Sequence, residues 1–243
     1  MSGQKLRFPR FVQKGLIMIN RSHIEKQARI LQYEIWHHRQ ILFKLGVPPV
    51  HLMFQPNIAA DVLQISLSEV PRIESGQNGV EAAGTLDVNR GIISVSTRFK
   101  PQVRRFTAAH EIGHYQLHKC LGNSGIVHRD RPVHDVTAIN RPIIELEADY
   151  FAACFLAPAK LVREEFARRF GAVPLRLDET IAWHLCGDSY SDLFVEPRRL
   201  KFATALAGAS KLDRHHFSSL STHFDISPSA MAIRLHELEL VID

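Results

Sequence analysis

Two histidines four residues apart, His110 and His114, with Glu111 beside the first, form the part of this chain best suited to chemistry. On a helix, residues at that spacing lie on one face, about 6 Å apart along the axis. Both imidazoles can therefore converge on one zinc ion at roughly 2.0–2.1 Å each. Glu111 flanks that face. Its carboxylate cannot readily ligate the same ion, but it can reach a water that the ion polarises. Zinc lowers the pKa of such a water toward ~7, so a neighbouring carboxylate can take its proton as it attacks a peptide carbonyl. A solvated helix with surface histidines is the plainer reading. Phe106, Ala108, Ala109, Ile112 and Leu117 weigh against it, because they require part of the helix to be buried. Gly113, which costs about 1 kcal/mol relative to Ala inside a helix, points to a close packing neighbour.

A catalytic zinc needs a third protein ligand and an open fourth position. Residues 142–153 are the natural source. Pro142 suits a first helical position after an Asn140 cap, and Pro158 closes the segment. Glu145 and Asp149 are four apart and share a face. One carboxylate can bind zinc while the other holds a ligand histidine by its free ring N–H. Glu147 points to nearly the opposite side and is less suited, though spacing alone leaves it open. His118, one turn beyond His114, reads as a partner behind the ligands or as a helix-end cation. His128 and His134 lie in a polar loop and read as solvated.

These residues need elements to hold them. Residues 22–43 have the pattern of a long helix, with Ser22 and Glu25 as a capping box. Its apolar positions are Ile24, Ala28, Leu31, Ile35, Leu42 and Leu45. Residues 57–65 form a short apolar segment whose alternating end could be a strand, and 74–79 read as a loop. Residues 84–88 and 92–96 flank Asn89-Arg90-Gly91 and predict an antiparallel hairpin. Helices follow at about 101–119 and 142–157, and an Arg- and Glu-rich helical stretch lies beyond Pro158. Residues 171–197 read as irregular. The end resembles a helix-turn-helix: residues 212–224, a turn at Asp225-Ile226, then a second helix capped by Ser227-Pro228. That second helix offers mainly Ala230, Ile233, Leu235 and Leu238, which suit packing better than reading bases.

With 45% apolar and 23% charged residues among 243, the chain has an ordinary globular composition. The net charge of +5, from 30 basic and 25 acidic residues, permits a nucleic-acid or acidic partner without requiring one. Cys120, Cys154 and Cys186 share no short spacing. They suggest neither a disulfide framework nor a thiolate zinc site, and Cys154 reads as a core residue. The basic N-terminus contains only Leu16–Ile19 as an apolar run, too short for a signal peptide, and nothing approaches the ~20 apolar residues of a membrane span. A reducing, cytoplasmic setting is expected.

The segments Arg105–His118 and Glu145–Pro158 resemble the ImmA/IrrE family of metallopeptidases. Its pattern is an RFTLAHELGH-like helix followed by an E-x-E-A-N/D-x-F-A-A helix with a Leu-Met-Pro-like exit. Here Leu156-Ala157-Pro158 carries Ala where Met is common. The strand pair at 83–95 and the tail at 224–238 also match. The resemblance spans residues 45–160 well and 214–242 moderately, while 171–210 match nothing recognisable. It implies an α+β fold with a minimal zincin-like core, a small twisted sheet packed on the two site-bearing helices. Residues 46–160 would be that core, 1–45 a helical extension, and 161–243 a helical region with the helix-turn-helix-like end at 214–242. Carried onto this sequence, His110, His114 and Glu145 become zinc ligands and Glu111 the general base, with Asp149 and His118 behind them. The implied substrate is a DNA-binding transcriptional repressor cleaved under stress; the apolar tail helix argues against direct nucleic-acid binding, and the alternative reading is a zinc-containing DNA-binding or repressor-binding regulator without proteolytic activity. The hairpin strand at 92–96 is expected to receive substrate in extended form along its edge.

Overall fold

A computed structural model describes residues 19–74, 81–119, 126–129 (backbone only), 141–171, 173–213 and 215–242. The expected loop at 75–79, the Asn140 cap, Cys120, His134 and the side chain of His128 lie outside the described residues. The chain opens with α1 (Arg21–His37), α2 (Arg39–Leu42), α3 (Val50–Met53) and α4 (Pro56–Leu63). α1 buries Ile24, Ala28, Leu31 and Ile35, the face its periodicity marks. Its cap differs from expectation. Asn20, not Ser22, accepts a hydrogen bond from the His23 amide at 3.1 Å. Glu25 instead accepts from the Tyr150 hydroxyl at 2.6 Å, tying α1 to a later helix. The helix also ends early: His38 interrupts it at φ −93° and ψ 11°, and Leu45 is fully exposed.

The segment at 57–65 is a helix rather than the approach to a strand. Pro56 occupies the first turn of α4, Ala59 and Ala60 are buried, and Gln64 stops it in the left-handed region at φ 56°. The strand comes afterwards, as β1 (Ser66–Val70). β2 (Gly84–Asp87) and β3 (Ile92–Ser96) form the expected hairpin, turning through Gly91 at φ 61°. The Asp87 carboxylate accepts from the Arg90 amide at 3.0 Å within that turn.

α5 (Pro101–His118), β4 (Ile126–Arg129), α6 (Ile143–Leu156) and α7 (Ala159–Phe170) follow. The four strands lie in the order β1-β3-β2-β4, with β1 parallel to β3 and the other two pairs antiparallel. β3 therefore has both edges occupied. The expectation of an open edge at 92–96 does not hold, because β1 covers the side that a two-stranded hairpin would leave free. α5 packs on β2 and β3, and α6 packs on α5 and α1. The molecule is thus a mixed α+β fold in which a small sheet and a helix pair share an interface.

Residues 171–197 are more ordered than their composition indicates. They contain β5 (Leu175–Arg176), α8 (Glu179–Cys186) and a 3-10 segment at Gly187–Phe194, with Asp178 capping α8 through the Ile181 amide at 2.8 Å. α9 (Arg198–Gly208), β6 (Lys211–Leu212), β7 (His215–His216), α10 (Leu220–His223), α11 (Pro228–Glu237) and β8 (Val241–Ile242) complete the chain. The first helix expected at 212–224 is reduced to the four residues of α10. Asp213 adopts φ 53°, which a helix does not accept, and β6 pairs with β7 across it. α11 starts where expected, with Ser227 accepting from the Ala230 amide at 3.1 Å. It packs on α9 and buries Met231, Ala232, Arg234 and Leu235. Its arginine donates to the Ala157 carbonyl at 3.0 Å and to Glu237 at 2.9 Å, so it is not presented to a groove of DNA. One apolar cluster runs from Ile24 through Phe151 and Phe202 to Val241. No described helix is long and apolar enough to cross a membrane.

Candidate metal centre

α5 presents His110, Glu111 and His114 to the interior, and all three are essentially inaccessible to solvent. The close approach that Gly113 called for is made by α6. A Cβ at Gly113 would stand 3.1 Å from both the Ala148 carbonyl oxygen and the Phe151 ring. A small residue on each helix lets the backbones close until the carboxylates of α6 reach the histidines of α5.

Three potential ligand atoms converge there. The Nε2 atoms of His110 and His114 are 3.0 Å apart. Glu145 lies with Oε2 3.2 Å from His110 Nε2 and Oε1 3.1 Å from His114 Nε2. Ligands about 2.05 Å from a tetrahedral ion are separated by roughly 3.3 Å, so the spacing suits one zinc-sized cation. The chemistry of the set agrees. His110 Nδ1 stands 2.8 Å from Asp149 Oδ1, and a carboxylate accepts only, so the proton sits on Nδ1 and the Nε2 lone pair faces its neighbours. Burial would push the Glu145 carboxyl up, but hydrogen bonds and charge from His110 and His114 outweigh it and hold it well below the usual carboxylate range. It is the anion that a ligand must be. His110, His114 and Glu145 are a group that could hold a metal ion.

The remaining expected residues surround this triad. Arg141 holds the other oxygen of Asp149 at 2.5 Å and lies 3.9 Å from Glu145. His118, the last residue of α5, stands with Nδ1 3.0 Å from His114 Nδ1, behind that ring. Glu147 does not join the ligands; its Oε2 lies 3.0 Å from His118 Nε2. Glu111 sits under β2. A Cβ at Gly84 would be 3.0 Å from Glu111 Oε1 and 2.5 Å from the Thr107 methyl, so only glycine fits above the carboxylate.

Three contributors were not singled out by spacing, Gly84, Arg105 and Arg141, and Glu147 was weighed only as an alternative ligand. The position of Gly84 at the start of a strand gave no hint of its role. Glu147 had a usable signal, since the chain offers three acidic residues on one helix and three histidines one turn apart on the other. Elsewhere, Trp183, His184 and Cys186 line an open cleft of about 390 Å³ with Lys211 and Asp213, away from the triad. Cys154 is buried in the core, and burial pushes its thiol up to about 11.

A small sheet thus lies on a helix pair, with two histidines and a glutamate convergent between the helices in a group that could hold a metal ion. Residues 70–184 match the family model Peptidase_M78, described as the IrrE N-terminal-like domain, which supports the resemblance of this segment to the ImmA/IrrE family. No curated protein matches the chain.

Proposed function

We propose that this protein is a zinc-dependent endopeptidase of a cytoplasmic compartment, with a minimal zincin-like core within residues 46–160. Residues 1–45 and 161–243 would flank that core. The observation that carries the reading is the convergence of His110 Nε2, His114 Nε2 and Glu145 within 3.2 Å of one another, with Glu111 buried beside them. His110, His114 and Glu145 would hold the ion, leaving a fourth position for substrate or water. When bound, the ion supplies Lewis acidity to a peptide carbonyl and acidifies water.

The chain's own residues supply the rest. Glu111 accepts the proton of the attacking water at its carboxylate and returns it to the leaving amine nitrogen as the peptide C–N bond breaks. Asp149 fixes the ring of His110 through Nδ1–H, and Arg141 fixes Asp149. The substrate is a protein, and the family resemblance favours a DNA-binding repressor. With β3 enclosed, an extended peptide would pair along β4, which among the described residues has a partner only in β2. Arg129 of β4 is in register with Gly84, the residue that lies over Glu111.

The test compares wild type with Glu111→Gln in a host lysate by mass spectrometry of new protein N-termini, with zinc content measured in both. A neo-N-terminus on a repressor that requires Glu111, with equal zinc in both proteins, is the expected result. Zinc absent from both would overturn the reading.

A further inference from the structure

The two ligand histidines are tethered in chemically different ways. His110 Nδ1 meets a carboxylate directly, at Asp149. His114 Nδ1 meets a second imidazole nitrogen, His118 Nδ1, at 3.0 Å. Two such nitrogens can share a hydrogen bond only when one carries the proton and the other presents a lone pair. Which one does so decides whether His114 can be a ligand. If His114 carries its proton on Nδ1, its Nε2 lone pair is free to face His110 and Glu145. If His118 donates from Nδ1 instead, a neutral His114 must carry its proton on Nε2, where the ion would bind.

The other side of His118 settles the direction. Its Nε2 lies 3.0 Å from Glu147 Oε2. An ionised carboxylate has no proton to give, so His118 donates from Nε2 and a neutral ring then leaves Nδ1 bare. The bare Nδ1 accepts from His114 Nδ1–H. We propose that Glu147 is a positioning residue that sets, through His118, the tautomer in which His114 can hold a metal ion. The inference rests on the metal-centre reading above. It gives Glu147 a role distinct from that of Glu145, although both stand on α6 two residues apart. Both relay members are largely shielded, with side chains 11% and 23% exposed for His118 and Glu147, so water competes weakly for these bonds.

The experiment uses the full chain. Zinc affinity is measured by chelator competition for wild type, Glu147→Gln and Glu147→Leu, with circular dichroism and melting of each metal-free protein. Gln retains an acceptor for the His118 Nε2–H, and Leu does not. The expected result is a ~10–100-fold loss of zinc affinity for Glu147→Leu. Glu147→Gln should stay within about threefold of wild type, because the direction of the relay is kept. In zinc-loaded wild type, long-range proton–nitrogen correlation should place the His118 proton on Nε2, a readout that does not depend on any variant folding. Wild-type affinity in Glu147→Leu, an equal loss in both variants, or a His118 proton on Nδ1 would overturn the relay. Failure of wild type itself to bind zinc would overturn the metal centre and the relay with it.

Discussion

Arg105, five residues before His110, donates from Nη1 to the carbonyl of Phe224 at 2.7 Å, joining α5 to the turn before α11. The same guanidinium reaches the carbonyls of Asp225 at 2.9 Å and Phe54 at 3.0 Å, and its Nε reaches Gln55 at 2.9 Å. Three loop carbonyls from two distant parts of the chain thus depend on one buried side chain. Replacing it with methionine fills similar volume but strands those acceptors. Arg105→Met should cost about 3–5 kcal/mol in chemical denaturation. Arg105→Lys should recover only part of that, because one ammonium cannot span the same acceptors. A loss below 1 kcal/mol would show that water replaces the guanidinium without difficulty.

Gly84 and Glu111 make a second dependence between strand and helix. The Cβ of an alanine at 84 would overlap the Thr107 methyl and press on Glu111 Oε1. Gly84→Ala should therefore displace Glu111, the proposed general base, while leaving His110, His114 and Glu145 in place. We expect at least a ~10-fold drop in peptide cleavage with zinc content unchanged, and a stability loss of about 1–3 kcal/mol. Loss of zinc together with activity would mean that the strain spreads along α5.

What the sequence made legible follows physical rules of periodicity. Ile24, Ala28, Leu31 and Ile35 line one helical face and are buried as such, and the Asn89-Arg90-Gly91 turn returns the hairpin where its residues demand. His110 and His114 share a face of α5 because they stand one turn apart, and Glu145 meets them from α6. β1 was not legible, because Ser66, Ser68 and Glu69 are exposed and leave little apolar alternation to read. The shortened α10 was hidden for another reason. Its upstream residues have helical composition, but the left-handed Asp213 breaks the run in a way that side-chain type does not announce. The roles of Arg105 and Gly84 depend on partners far away in sequence, and no local pattern encodes those.

The imidazoles of His51 and His223 stack with centroids 3.7 Å apart, beside Glu165, Arg168 and Arg169 of α7. Burial, then the neighbouring His51 and the two arginines, push His223 down to about 4 against the pull of Glu165. The sign follows from linkage. Between about pH 6.5 and 4 the unfolded chain takes a proton on this histidine and the folded chain does not, so stability rises with pH across that window. It is fully present above pH 6.5 and is lost as the pH falls toward 4. Because the site is partly open to solvent, the loss should be about 1–2 kcal/mol. Glu165, held at about 2, loses its own contribution in a separate window at lower pH. Thermal melts of wild type and His223→Gln from pH 7.5 to 4.5 should converge as the pH falls. Parallel curves would assign the acid sensitivity elsewhere.

Asp149 and Arg141 allow the support of His110 to be separated from its charge environment. Asp149 accepts from His110 Nδ1–H and holds Arg141 with its other oxygen. Removing the carboxylate takes away the acceptor that fixes the ring and its tautomer. Removing the arginine leaves that acceptor in place and only loosens it. Asp149→Ala should therefore weaken zinc binding ~10–100-fold, whereas Arg141→Ala should weaken it several-fold at most. Asp149→Asn should fall between the two, because an amide oxygen can still accept from Nδ1 but without charge assistance. Chelator competition on the four proteins orders these effects. If Arg141→Ala proved as damaging as Asp149→Ala, the guanidinium 3.9 Å from Glu145 would be acting on that carboxylate itself rather than through His110.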